Sequence, residues 1–378
     1  MTAQPQTARP QSGGAPVAAL PFPIASRRMT RFSFNAGTIA LSAAAATPVS
    51  PIQIPAVGYL SHINLEVTVT GAGGTAPTFT ADAPFNVLAA VEFKTASGND
   101  IIVPVTGYQL YLINKYGAQF SQAPWSDVKA NRQYSATAPS AHFFLAIPLE
   151  FDASTGLGAI PALASNRSYQ LQLTLAAVST VLTGAPTVTV AVVGTAYYWS
   201  QPQESTTTGV QQQSAPTGLG TLSQWQLEAP PVTPGDKYIK SNNVGNVLRC
   251  VIFTLRNASS ARIDANGWPG VSEIYLDNDP MFYLTQNEWE YIMAVTYGFN
   301  ASAKDVVLGL DTGVFVLPFF ALGAGVAGDP MASRSQLLPT LDASLLQLRG
   351  TSFGSNSSTL EIITNSVIPT SASVLYAK

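Results

Sequence analysis

The sequence predicts an all-β chain built from two copies of one sandwich domain, each with a short inserted helix. Three observations carry this prediction. Short strands alternate apolar and polar residues from about residue 32 to the C-terminus. A polar, low-complexity stretch at 200–222 interrupts them. Two capped helices recur in the same context, one in each half.

The strands come first. Ile63, Leu65, Val67 and Val69 alternate with Asn64, Glu66, Thr68 and Thr70, and Tyr169, Leu171, Leu173 and Leu175 alternate with Gln170, Gln172 and Thr174. A period of two places one face of a strand in a core and the other toward polar surroundings. The turn Thr183-Gly184-Ala185-Pro186 separates the second of these strands from the Val- and Thr-rich run 187–193, whose composition suits a pleated, half-buried surface. Residues 247–255 form a nearly unbroken apolar run, and Cys250 within it is expected to be a small buried hydrophobe. Residues 314–320 are expected to be a buried strand leading into a Gly-rich loop. The stretch 312–328 is too short, and too interrupted by Pro318 and glycines, for the ~20 apolar residues a spanning helix needs.

The helices come next. Thr285 precedes Glu288 by three residues, a capping box. Trp289, Ile292, Met293, Thr296 and Tyr297 follow as one helical stripe, with Gly298 as the stop. In the first half, Thr106 precedes Gln109, Tyr108, Tyr111, Leu112 and Tyr116 form a shorter stripe, and Gly117 stops it. Each helix follows an apolar strand and an Asn-Asp step, Asn99-Asp100 and Asn278-Asp279. Val57-Gly58 matches Val244-Gly245, and Ile160-Pro161-Ala162-Leu163 matches Leu338-Pro339-Thr340-Leu341. In chain order these pairs lie 187, 179, 181 and 178 residues apart. A strand run with one helix per copy fits a jelly roll, whose long loops accommodate insertions. The domain reading is a basic arm (1–31), a first jelly roll (32–199), a linker (200–222) and a second jelly roll (223–378).

Composition narrows the function. Charged residues make up 10% of the chain, against roughly a quarter in ordinary soluble proteins. Such a surface suits a chain packed against copies of itself, because charge is depleted at interface cores. One cysteine excludes an intrachain disulfide framework, and two histidines exclude a three-histidine metal centre. The net charge of −3 gives no general reason to bind nucleic acid. The charge is uneven, however: residues 1–65 contain Arg9, Arg27, Arg28 and Arg31 and no acidic residue. Ser26-Arg27-Arg28-Met29-Thr30-Arg31-Phe32 resembles a twin-arginine export signal, but Thr30 stands where a bulky apolar residue belongs and the preceding segment is long. A basic arm leading into the first strand is the preferred reading.

Paired strand–Asn-Asp–capped helix–Tyr-Gly segments, tandem sandwiches of this size, an uncharged Ala/Thr/Val/Gly texture and a basic N-terminal arm resemble the double jelly-roll major capsid proteins. The type most resembled is that of icosahedral bacteriophages with an internal membrane, the tectivirus-like group. The resemblance covers roughly residues 30–378 and is one of architecture and texture, without a diagnostic motif. It implies eight-stranded rolls standing upright in a viral shell and a homotrimeric capsomer of pseudo-hexagonal outline. It implies partners in neighbouring capsomers and in penton, minor capsid or cement proteins. The N-terminal arm would lie on the inner side, near a lipid vesicle. The location implied is the virion, assembled in the host cytoplasm, with no cofactor, no enzymatic activity and no specific nucleic acid partner. Arg27, Arg28 and Arg31 are expected to meet anionic lipid headgroups or packaged nucleic acid, or else to lie in an arm that is solvated or clasps a neighbouring subunit; each basic residue near an anionic surface contributes about 1 kcal/mol.

Two other functional readings have sequence support. An exported two-domain carbohydrate-binding or carbohydrate-cleaving protein would use exposed tryptophans with carboxylates, and a spike or minor capsid component would share the β texture. Gly350-Thr351-Ser352-Phe353-Gly354 matches a nucleophile elbow, but no histidine follows it and Ser355-Asn356-Ser357-Ser358 reads as a turn. His62 lies in the polar register of its strand, where a solvated or interface role is expected. Glu273, Asp277 and Asp279, with Asp264 and Asn266, have carboxylates at a spacing compatible with Ca²⁺ or an acid pair, but they sit in ordinary turn sequences.

Overall fold

The computed structural model describes residues 21–55, 57–95, 97–117, 132–133, 138–152, 155–162, 168–202, 216, 220–263, 267–297, 313–319 and 337–368. The first half contains α1 (Phe22–Ala25), β1 (Arg28–Ala40), β2 (Thr47–Pro48), β3 (Ile52–Ile54), β4 (Gly58–Ala72), β5 (Leu88–Lys94), β6 (Asp100–Val105), α2 (Gly107–Tyr116), β7 (Arg132–Gln133), β8 (Ser140–Pro148), β9 (Ile160–Ala162), β10 (Tyr169–Leu175), α3 (Val178–Val181) and β11 (Thr187–Trp199). One sheet runs in the order β1-β11-β4-β8-β7. Facing it are β6-β5-β10-β2, with β3 also on β10. This is a jelly roll, and the alternation read from the sequence is its cause. Ile63, Leu65, Val67 and Val69 are fully buried between the sheets, while Thr68 and Thr70 are exposed.

The second half repeats the plan with β12 (Leu222–Glu228), β13 (Gly235–Ser241), β14 (Val247–Arg256), β15 (Val271–Leu276), β16 (Asp279–Thr285), α4 (Gln286–Tyr297), β17 (Val314–Pro318), β18 (Leu338–Pro339), β19 (Leu346–Phe353) and β20 (Thr359–Ile368). The order β17-β14-β20-β12 matches β8-β4-β11-β1, and β13-β19-β15-β16 matches the other sheet of the first roll. Every recurring pair falls on matching elements. The Asn-Asp steps lead from a turn into the first residue of β6 and of β16, and the Pro-containing segments form β9 and β18, paired with β4 and β14. Both capping boxes form. The Thr106 side chain accepts from the Gln109 N–H at 3.1 Å, and Gln109 Oε1 accepts from the Thr106 N–H at 2.8 Å. In α4, Thr285 Oγ1 accepts from the Glu288 N–H at 3.3 Å and Glu288 Oε2 from the Thr285 N–H at 2.7 Å. Gly117 closes α2 through its N–H to Ile113 at 2.8 Å; Gly298 lies outside the described residues.

A β-bulge provides a more exact register between the rolls. Tyr197 and Tyr198 of β11 stand opposite His62 and Leu60, which makes Ser61 the extra residue. Asn365 and Ser366 of β20 stand opposite Cys250 and Leu248, which makes Arg249 the extra residue. Ser61 therefore corresponds to Arg249 and His62 to Cys250. The rolls are joined by one sheet, because β12 pairs in parallel with β6 at Trp225 and Ile102.

The first strand begins earlier than the sequence reading placed it. The arm was expected to extend through residue 31, yet Arg28 already pairs with Trp199, and Arg31 is the extra residue of a bulge between Thr30 and Phe32. That bulge breaks the alternation and makes the segment read as a basic run. Residues 1–20, most of the expected linker (203–215 and 217–219) and the expected Gly-rich loop lie outside the described residues. Among the described residues, no helix is long and apolar enough to cross a membrane.

Candidate assembly surfaces

The three arginines singled out by the sequence have different surroundings. The backbone of Arg27 is tied to Ser200 in both directions, at 3.0 and 2.8 Å, and its side chain is exposed, as is that of Arg31. Arg28 joins a cluster. Its guanidinium lies 4.4 Å from the Trp199 ring centroid and 3.7 Å from Glu150 Oε1. The Glu150 side chain is 4% exposed. It accepts from Trp199 Nε1 at 3.0 Å and from the Ser61 hydroxyl at the β4 bulge. Burial raises its carboxyl above the usual carboxylate range, against those two hydrogen bonds and the nearby Arg28.

Phe22 of α1 anchors the chain just before this cluster. Its ring meets Tyr59 and Trp199 edge-on, at centroid distances of 5.3 and 5.5 Å. Gly156 makes room for it, since a Cβ there would lie 2.7 Å from the Phe22 ring. Burying such a side chain contributes about 1.5–3 kcal/mol. The start of β1 is thus fixed to its own roll by an aromatic seat and a partly buried ion pair. Neither Phe22 nor Glu150 was found by sequence reasoning. Each is a single residue without periodic context, and its partners lie far along the chain.

The seam between the rolls is more extensive. Trp225 is fully buried, packed on the Gly117 turn at the end of α2. The two Tyr-Gly helix ends noted in the sequence meet here: Tyr297 donates its hydroxyl proton to the Tyr116 carbonyl at 2.7 Å, with the rings 5.1 Å apart. Asp82 of the first roll receives Arg256 at 2.9 Å and Arg262 at 2.7 Å from the second. Arg256 also reaches Glu361 at 2.8 Å, and Arg262 stacks 4.6 Å over Tyr108. Arg249, at the second bulge, donates to Asn365 at 2.7 Å and lies 5.0 Å over the Phe151 ring of the first roll.

The remaining sequence candidates are dispersed. Ser352 is on β19 at φ 66°, where its N–H donates to Asp236 at 2.8 Å, and a turn follows rather than a helix. Both histidines are in the other roll. His62 stacks on Tyr197 at 4.4 Å with Nδ1 3.0 Å from Ser61 Oγ; burial, then the Arg28 charge, lowers it to about 4. His142 pairs with Glu66 at 2.9 Å. Glu273 accepts from Arg349 at 2.9 Å, and Asp277 accepts from the Ser344 and Leu345 N–H groups at 2.9 and 3.0 Å, which closes a turn. Asp264 and Asn266 lie outside the described residues. Cys250 is buried facing the first roll, its thiol raised to about 12 by burial.

Two rolls in tandem, each built on eight matching strands in two sheets with a helix between matching strands, define a double jelly roll. Solved chains aligning with it along nearly their whole length carry that same fold in viral shells. The STIV MCP, from Sulfolobus Turreted Icosahedral Virus, aligns with a TM-score of 0.62 at 14% identity, covering 93% of this chain and 99% of that one. The Faustovirus major capsid protein gives 0.57 at 9%, covering 96% and 92%. A chain of the PBCV-1 virus capsid gives 0.56 at 15%, covering 90% and 94%. No protein-family model and no curated protein matches the sequence.

Proposed function

We propose that this chain is a major capsid protein of an icosahedral virus, located in the virion shell, with a structural and not an enzymatic role. The observation that carries this reading is the full-length double jelly roll, shared with solved capsid chains over nine-tenths or more of both partners. The low charge content supports it, since weakly polar Ala, Thr, Ser and Val surfaces cost less to desolvate than charged ones. In this reading three copies form a capsomer of six rolls with pseudo-hexagonal outline, and capsomers tile around an internal membrane with penton and minor proteins at special positions. Arg27 and Arg31, exposed beside the anchored Arg28, would face either anionic lipid or an adjoining copy. Sedimentation of the purified chain tests the capsomer: a species of three chain masses is expected, and a monomer at high concentration would count decisively against it.

A further inference from the structure

A cleft of about 670 Å³ lies on the seam between the rolls. Thr80 and Asn86, from the connection between β4 and β5, and Thr180 of α3 line its first-roll wall. Arg256 at the end of β14, with Thr359 and Glu361 at the start of β20, lines the other. Domain junctions are preferred places for ligand clefts, and this volume falls within their usual range.

The strand pairing places the cleft in the molecule. Arg28 pairs with Trp199, and Trp199 with Tyr59 at the start of β4. The connection that carries Thr80 and Asn86 leaves the other end of β4, which is 15 residues long and so spans roughly 50 Å. Arg256 pairs with Thr359 at the matching end of β14. The cleft and the arginine-bearing segment are therefore at opposite ends of the rolls.

The lining selects a class of ligand. Apart from three alanines, every described residue in it carries a hydroxyl, an amide or a charge, and none is aromatic. The charges cancel: Asp82 receives both Arg256 and Arg262, and Arg256 also reaches Glu361, so two carboxylates meet two guanidiniums. Neither a phosphate nor a metal cation gains from such a balance. Two acceptors are left over. The Asn86 amide nitrogen donates to Thr80 Oγ1 at 3.0 Å and to the Thr180 carbonyl at 2.8 Å, which leaves Oδ1 as the free atom. Asn86 Oδ1 and Glu361 Oε2 are both buried without a hydrogen-bond partner. A buried acceptor that lacks a donor is costly. A neutral, hydroxyl-rich ligand brings donors to such atoms, and its oxygens accept from the serine and threonine hydroxyls of the same lining.

We propose that this cleft binds a saccharide. The binding is argued from the lining alone. Its orientation rests on the capsid reading: with the arm on the inner side of a shell, the cleft opens outward, toward sugars presented from outside.

The test is saturation-transfer difference NMR of the full chain with mannose, galactose, N-acetylglucosamine and rhamnose, each in millimolar excess. Transfer to at least one of these sugars is expected from the wild-type chain. Asn86→Ala removes a leftover acceptor, and Ser259→Leu puts an aliphatic group on the exposed rim of the cleft. Each should weaken binding by about tenfold or more, the worth of one lost hydrogen bond. Tyr238→Ala, on β13 and outside the cleft, should bind as wild type does. Melting temperatures establish that the variants are folded, and Ser259, exposed in a turn, keeps the test open if Asn86→Ala unfolds. Absence of transfer to all four sugars, or binding undiminished in folded Ser259→Leu, would overturn the proposal. A wild-type chain that sediments as three copies and binds no sugar would sink the saccharide site and leave the capsid reading standing. A monomer that binds would do the reverse.

Discussion

Strands β4 and β14 hold the same place in the two rolls, yet their outer faces have opposite characters. Toward their own cores both are apolar: Leu60, Ile63, Leu65 and Val67 in one, Leu248, Val251, Phe253 and Leu255 in the other, all buried. On the outer face β4 carries His62, Asn64, Glu66, Thr68 and Thr70, half-buried or exposed. The outer face of β14 carries Cys250, Ile252 and Thr254, each fully buried because the first roll covers them. A strand covered on both faces loses its alternation, so VLRCVIFTLR reads as a run while INLEVTVT reads as a period of two. The comparison teaches that the two copies differ most where one covers the other. A face that seats its sibling is apolar; the matching face, turned outward, is weakly polar.

The sharpest way to break this comparison is to place one charge at the matching positions Ile252 and Asn64. Ile252→Lys would bury an unpaired ammonium between the rolls, a change of the kind that costs more than about 4 kcal/mol. That is a large share of the roughly 5–15 kcal/mol by which domains are stable, and loss of soluble folded protein is expected. Asn64→Lys should stay within about 0.5 kcal/mol of wild type as a folded monomer. Soluble yield and circular-dichroism melts measure both, and equal tolerance of the two lysines would show that the second roll's outer face is not a core.

A smaller effect separates Trp225 from Thr30, the matching residues of the two first strands. Trp225→Ala removes a fully buried indole from the seam and is expected to cost about 3–5 kcal/mol in guanidinium unfolding. Thr30→Ala, on an exposed site, should change monomer stability by less than about 0.5 kcal/mol. If both substitutions were equally mild, the seam would have to be held by the Asp82–Arg256–Arg262 network instead.

The sequence made the elements legible and left the surfaces they meet unread, for a physical reason. Periodicity records that a face is covered, and Thr106 with Gln109 or Thr285 with Glu288 records where a helix starts; both are local. What covers a face is set by residues far apart, such as Arg28 with Glu150 or Asp82 with Arg262, and no spacing encodes those pairs. Trp225 carries no periodic or motif signal in the sequence, although it is fully buried where the rolls join. The Tyr-Gly repeat lies between these cases. It was visible as a recurrence, and only the fold shows that Tyr116 and Tyr297 recur because they touch. The basic segment misled through Arg31, whose bulge hid a strand inside an apparent arm.

The mildest of these differences is a matter of protons. His62 and Cys250 occupy one position in the two rolls, each just after the bulge. In the unfolded chain a histidine takes up a proton near pH 6.5. In the folded roll, burial and then Arg28 hold His62 neutral down to about pH 4. Between those values the unfolded state binds more protons than the native one, so stability falls as pH drops from about 6.5 to 4 and is unaffected by this residue above that window. The loss could reach about 2–3 kcal/mol, from roughly 1.36 kcal/mol per unit with a discount for partial exposure. Cys250, with its thiol raised to about 12, is silent throughout this range. Glu150 acts with the opposite sign: its raised carboxyl takes up a proton more readily in the folded state, which favours folding as pH falls through and just above the ordinary glutamate range. Urea unfolding of wild type, His62→Asn and Glu150→Gln between pH 4 and 7 separates the two. The expected result is that His62→Asn removes most of the acid loss and Glu150→Gln deepens it. An unchanged slope in His62→Asn would mean that the first roll's outer face is wetter at this position than its stacking on Tyr197 implies.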